Sequence, residues 1–192
     1  MKKIIDKHFE EHLLVIQSIS DTDKEKILNI ASIISDSLKS GGTIFWCGNG
    51  GSASDSQHLA GELVGRFCGD RRPLKSISLN SDTAVMTCIV NDYGYEHIFS
   101  RQIEGIGVEG DVLIGISTSG NSMNINNALI MANQKKIETI GLLGKGGGSA
   151  LELAKYNLVV SSNSTARVQE MHILIGHILC DLIEEGLDIK IS

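Results

Sequence analysis

The chain has 192 residues, 42% of them hydrophobic and 21% charged, with a formal net charge of −6. That length suits one domain with a full core. An acidic balance with no basic run and no aromatic–basic stripe argues against nucleic acid as a partner. No apolar run reaches the ~18 residues of a membrane-spanning helix, and the charged start "MKKIIDKHFEEHLLVI" lacks the apolar centre of a secretion signal. The expectation is a cytoplasmic protein with no membrane partner.

In chain order, residues 3–19 and 22–40 read as amphipathic helices, the second with Asp21, Thr22 and Asp23 as candidate caps and "SGG" at 40–42 as its stop. His8 and His12 lie four apart on the first, on a charged face that reads as solvent-exposed rather than as a metal site. Five β-rich runs follow, at 43–48, 74–79, 111–118, 137–144 and 156–162. They are apolar throughout instead of alternating, which marks strands covered on both faces. Helical segments near 52–67, 82–90, 95–106, 122–135 and 149–154 separate them. That rhythm predicts an α/β fold, a parallel sheet with helices on both sides. The last helix, 164–186, is apolar nearly all round, so it is either deeply buried or packed against another subunit. With no linker, repeat or low-complexity tract, residues 1–192 read as one domain. The four cysteines (Cys47, Cys68, Cys88, Cys180) lie far apart, with no CxxC, and read as buried reduced thiols.

Ligands of an open parallel sheet collect at the carboxyl ends of its strands, and two loops there stand out. In "CGNGGSAS" (47–54), Gly48, Gly50 and Gly51 let backbone amides approach an anion at a helix N-terminus. The letters also fit a GxGxxA dinucleotide fingerprint, but no acidic residue closes the second strand, so a redox dinucleotide is not expected. In "STSGNSMN" (117–124), Ser117, Thr118, Ser119 and Ser122 crowd around Gly120, which makes either a phosphate cradle that needs no lysine or a plain capped turn. "GKGGGSA" (144–150) does not meet the P-loop pattern and reads as a mobile turn.

Reactive groups lie behind these loops. His58 and Glu62, four apart, share a helix face that Asp55 and Arg66 extend. Such a pair serves as an acid–base couple, as metal ligands, or as a solvated stripe. In "RVQEMHILIGHILCDL" (167–182), Gln169, His172 and His177 interrupt an apolar helix. Gln169 and His177 are about 12 Å apart along its axis, so they meet one ligand only by leaning together or across a subunit boundary. His172, on another azimuth, reads as a satisfied core or interface histidine. "NDYGYEHIFSRQ" (91–102) is a further polar break; Asn91 and Asp92 either face the ligand or end a helix.

Four ordered blocks, "CGNGGSASDSQHLAGEL", "NDYGYEHIFSRQ", "GDVLIGISTSGNS" and "RVQEMHILIGHILCDLIE", make the chain resemble, nearly end to end, the sugar isomerase (SIS) domain family and within it the bacterial phosphoheptose isomerases. The resemblance implies a single SIS domain with a five-stranded parallel sheet, N-terminal helices over 3–40, a C-terminal interface helix over 164–186, and a homotetramer with active sites between subunits. It implies a sugar-phosphate substrate, sedoheptulose 7-phosphate, whose phosphate is held by Ser117, Thr118, Ser119 and Ser122. Sugar contacts would come from Asn49, Gly50, Gly51, Asn91, Asp92 and Gln169. Glu62 would be the catalytic base and His177 its partner. His58, Glu62, Gln169 and His177 match positions that bind zinc, one ion per subunit. The product would feed activated heptose for lipopolysaccharide or capsule. Some relatives keep the fold without catalysis and regulate a partner, the bacterial replication initiator; those lack the Glu and His that stand here at 62 and 177. Other enzymes of the fold act on hexose phosphates.

Overall fold

Ser20 starts the second helix. Its hydroxyl accepts from the Asp23 amide while the Asp23 carboxylate accepts from the Ser20 amide, a reciprocal capping box. Asp21, Thr22 and Asp23 are therefore the first helical residues and not the cap. The computed structural model describes residues 1–187, so the last five residues of the expected 1–192 domain lie outside the described residues. Helices α1 (Lys2–Gln17) and α2 (Asp21–Lys39) precede β1 (Ile44–Gly48), α3 (Gly51–Val64), β2 (Ser76–Ser78) and α4 (Thr83–Tyr93). A 3₁₀ turn (Tyr95–His97), α5 (Ser100–Ile106), β3 (Val112–Ser117), α6 (Met123–Gln134), β4 (Glu138–Gly144), α7 (Ala150–Leu153), β5 (Tyr156–Val160) and α8 (Thr165–Leu187) complete the described chain.

The five strands form one parallel sheet in the order β2-β1-β3-β4-β5. Side chains of a strand point alternately to opposite faces, and along β1 they feed two cores. Ile44 and Trp46 pack with Val112, Ile114 and Ile116 of β3 under α2, α3 and α8. Phe45 and Cys47 pack with Leu113 under α5 and α6. Both faces are covered, which is why β1 and β3 read as unbroken apolar runs. The order doubles back between β1 and β3, and that reversal opens a crevice beyond their carboxyl ends. Both singled-out loops lie there.

Candidate active site

Each loop is held in place by side chains that are distant in sequence. Gly48 exchanges two hydrogen bonds with the Asn80 side chain: its amide donates to Oδ1 at 3.2 Å and its carbonyl accepts from Nδ2 at 2.9 Å. A Cβ at Gly48 would lie 2.3 Å from the Ser52 carbonyl oxygen, so only glycine fits. Gly50 takes φ +57°, in the left-handed region, and turns the chain into α3. Asn49 and Asn124 pair through their side-chain amides, both bonds 2.9 Å, and the Tyr95 hydroxyl donates to Asn49 Oδ1 at 2.7 Å. This ties the first loop to the start of α6, hence to the second loop.

In the second loop the Ser117 hydroxyl accepts from the Gly120 amide at 3.0 Å and lies 3.4 Å from the Ser122 hydroxyl. Ser119 Oγ accepts from the Asn121 amide. Ser122 is the N-cap of α6, yet its side chain caps nothing, because Asn124 Oδ1 takes the Ile125 amide. Its hydroxyl and the first amides of α6 are thus left for a ligand. The "GKGGGSA" turn is not loosely attached as expected. Ala150 N donates to the Gly120 carbonyl, and Ser149 bonds to Asn121 Oδ1 through both its amide and its hydroxyl. A Cβ at Gly120 would lie 1.8 Å from the Gly147 carbonyl oxygen. The glycines of this turn allow it to buttress the cradle.

Behind the first loop, α3 and α8 lie side by side and bring together residues 119 apart in sequence. His58 Nε2 stands 2.9 Å from His177 Nε2 and 3.2 Å from Glu62 Oε1. The ligand atoms of His58, Glu62 and His177 all fall within 4.8 Å of one another, the only such His/Cys/Asp/Glu cluster among the described residues. Two imidazoles and a carboxylate are the donors zinc takes in catalytic sites, where three protein ligands leave a position open. The residues present therefore fit a zinc ion. Gln169 stands on α8, eight residues before His177. Its side-chain amide packs on Gly51, where a Cβ would lie 2.5 Å from Nε2. That is about two helical turns up α3 from His58.

Asp55 lies on the same side of α3, and burial pushes its carboxyl up, opposed in part by His58 and His177; Oδ2 has no hydrogen-bond partner. Arg66 does not extend the face as expected, because α3 ends at Val64. Asn91 and Asp92 occupy the last turn of α4, exposed, with Asn91 Nδ2 donating to Asp92 Oδ1 at 2.7 Å; the helix runs through them to Tyr93. His172 is 1% exposed, and its Nε2 lies 3.0 Å from the Leu143 carbonyl oxygen. Burial pulls its imidazole down to about 4. The ring is therefore a core histidine as expected, neutral and protonated on Nε2, but only half satisfied, because the buried Nδ1 has no hydrogen-bond partner. Helix α1 is exposed along its first turns, His8 included, as expected, while the partly buried His12 places Nδ1 2.7 Å from Glu170 Oε2. Only Cys47 and Cys180 are buried thiols, pushed up to about 12 by burial, while Cys68 and Cys88 are exposed.

The segment after α3 carries residues the sequence did not single out. Phe67 stacks on the His177 ring, centroids 5.4 Å apart and planes 20° apart. The Glu184 carboxylate, 2% exposed, accepts from the amides of Phe67, Cys68 and Gly69 and pairs with Arg71 Nε at 2.6 Å. Burial alone would push this carboxyl up. The three amides and the guanidinium outweigh it and hold the group below the ordinary carboxylate value.

The comparisons with known proteins agree with this architecture. A model of the SIS domain matches residues 7–144. Phosphoheptose isomerase 1 of Campylobacter jejuni is 49% identical over 186 residues, which cover 97% of this chain and 100% of that one. Phosphoheptose isomerase of Aliarcobacter butzleri is 49% identical over 187 residues, 97% of this chain and 99% of its own. The solved structure of phosphoheptose isomerase from Neisseria gonorrhoeae superposes with a TM-score of 0.91 at 38% identity, over 96% of this chain and 98% of that one. On fold, site and near-full-length likeness, the chain belongs to the SIS-domain family and, within it, to the phosphoheptose isomerases.

Proposed function

We propose that this chain is an aldose–ketose isomerase that converts sedoheptulose 7-phosphate to D-glycero-D-manno-heptose 7-phosphate, the entry to activated heptose for surface polysaccharide. The observation that carries the reading is the pairing of Glu62 with His58 and His177 in a chain 49% identical, end to end, to named phosphoheptose isomerases. A regulatory relative needs no such group, so the non-catalytic alternative is not favoured.

The residues take roles that the chemistry demands. The phosphate is gripped by Ser117, Thr118, Ser119 and Ser122 and by the first amides of α6, a site of hydroxyls and helix dipole that suits an acidic protein. Asn49, Gly50 and Gly51 line the sugar's path, with Gln169 beside Gly51 and with Asn91 and Asp92 at the end of α4. Glu62 takes the C1 proton of the ketose and returns it to C2 through an enediol, so one carbon is oxidised as its neighbour is reduced and no external oxidant enters. His177 carries a proton from O1 to O2. Zinc held by His58, Glu62 and His177 would polarise those oxygens or order the site.

The enzyme works as a homotetramer in the cytoplasm. What supports the assembly is exposed apolar surface on α1, where Phe9 and Leu14 are 68% and 66% exposed, and on α8, where Leu174 and Ile178 remain uncovered. No helix among the described residues is long and apolar enough to cross a membrane. A coupled assay of the full chain with sedoheptulose 7-phosphate, beside Glu62→Gln, tests the reading. Turnover lost in the variant supports it, and sugar phosphate bound without turnover by the parent chain overturns it.

A further inference from the structure

Resting on the isomerase reading, we propose that Phe67 is a positioning residue for His177, and that Glu184 and Arg71 exist to hold Phe67 over it. An imidazole that moves protons, or binds a metal, needs a fixed ring plane. His177 is constrained on two sides. Its Nε2 meets His58, whose ring stands at 62° to its own, and its flat face is covered by Phe67.

Phe67 sits beyond the end of α3, on a stretch with no regular secondary structure. Such a stretch does not ordinarily hold a ring to stacking distance. Here three consecutive amides, from Phe67, Cys68 and Gly69, converge on one buried carboxylate. Arg71 pairs with that carboxylate and donates to the carbonyls of Leu63, Gly65 and Glu62, stitching the segment back to the end of α3. Glu184 lies seven residues beyond His177 on α8, so it shares the helix face of His177 two turns away. Helix α8 therefore carries both the imidazole and the anchor of the ring that steadies it. Glu184 is 1% exposed, and its carboxylate is occupied by the amides of Phe67, Cys68 and Gly69 and by Arg71, so it acts on the site by holding this segment.

The test reads the ring directly. In the full-length protein, aromatic NMR should show nuclear Overhauser contacts between Phe67 and the imidazole protons of His177, with those protons shifted upfield by the Phe67 ring current. Phe67→Leu should move the His177 imidazole protons downfield and lower kcat at least about tenfold with KM little changed, since misplacement of a reacting group acts on turnover. Phe67→Tyr should restore both. If the parent protein shows no Phe67–His177 contact, or if Phe67→Leu leaves the His177 resonances in place, the proposal is overturned. Failure of the isomerase reading would show as absence of turnover in the parent chain, and the resonances would still decide the positioning.

Discussion

His58 and His177 meet nitrogen to nitrogen, Nε2 to Nε2, at 2.9 Å. Two imidazoles hold that distance only if one donates a proton to the other's lone pair, or if both lone pairs aim at one cation. Zinc alone should therefore bind the full-length protein, and His58→Ala should weaken it by about 100-fold or more, beyond what loss of a ligand's supporting partner usually costs. Competition with a chromophoric chelator measures this. Equal affinity in parent and variant would remove His58 from the ligand set.

The Ser122 hydroxyl caps no amide of its own helix. Its removal should leave stability unchanged and cost only what it gives a bound phosphate, a hydrogen bond to a charged group worth ~1.5–3 kcal/mol. Ser122→Ala should thus raise KM for the sugar phosphate by roughly 10- to 100-fold with little change in kcat and in the melting temperature. A variant with unaltered KM would move the phosphate elsewhere.

Glu184→Gln leaves the Arg71 guanidinium buried without a counter-charge and gives the amides of Phe67, Cys68 and Gly69 a weaker acceptor. Breaking a buried pair from one side costs ~3–5 kcal/mol. In a domain of this size that lowers the melting temperature by roughly 10 °C or more. Thermal unfolding followed by circular dichroism checks it, and a drop of a degree or two would show that the segment is held by other contacts.

His172 sets a pH dependence. Its folded-state value is depressed from 6.5 to about 4. Above pH 6.5 neither state is protonated there, and the stability is fully present. As pH falls towards 4 the unfolded chain takes up a proton that the folded chain refuses, so stability is lost by up to ~1.4 kcal/mol per pH unit, about 3 kcal/mol in all. His172→Gln should flatten this part of the profile in urea unfolding at pH 7, 5.5 and 4. A parent profile already flat over that window would show that His172 is not the group responsible.

The sheet and its order of elements are legible in the sequence because strands buried on both faces leave unbroken apolar runs and the helices between them have the right period. The cradle at 117–122 and the pair of His58 with Glu62 are legible because their residues are neighbours along the chain. The approach of His177 to that pair was implied only by family resemblance, since spacing within α8 says nothing about which helix lies beside it. Asn124, Asn80 and Tyr95 escaped for a related reason: each is an ordinary polar residue at a helix start or a turn, and it fixes the loops through partners 32 to 75 residues away. Glu184 was hidden in a run of acidic residues at the end of α8 that looks like a solvated helix terminus. Ser20 escaped because Asp21 and Asp23 are equally good caps on paper. Gln169 was placed with the zinc ligands by resemblance, and the close approach of its amide to Gly51 could not be read from either segment.

The contacts between α3 with its trailing segment and α8 form a ladder of nearly constant offset. Gly51 meets Gln169, Leu59 meets Gly176, His58 meets His177 and Phe67 meets Glu184, each pair 117 to 119 residues apart. A single inserted or deleted residue inside either helix would swing everything beyond it by about 100° and break the rungs on one side of the change. Length variation between these two helices and their counterparts in other members of the family should therefore be forbidden within residues 51–67 and 169–184, and tolerated in the turns of the sheet between them. An alignment of many such sequences would carry its gaps between the two helices, with both helices free of them.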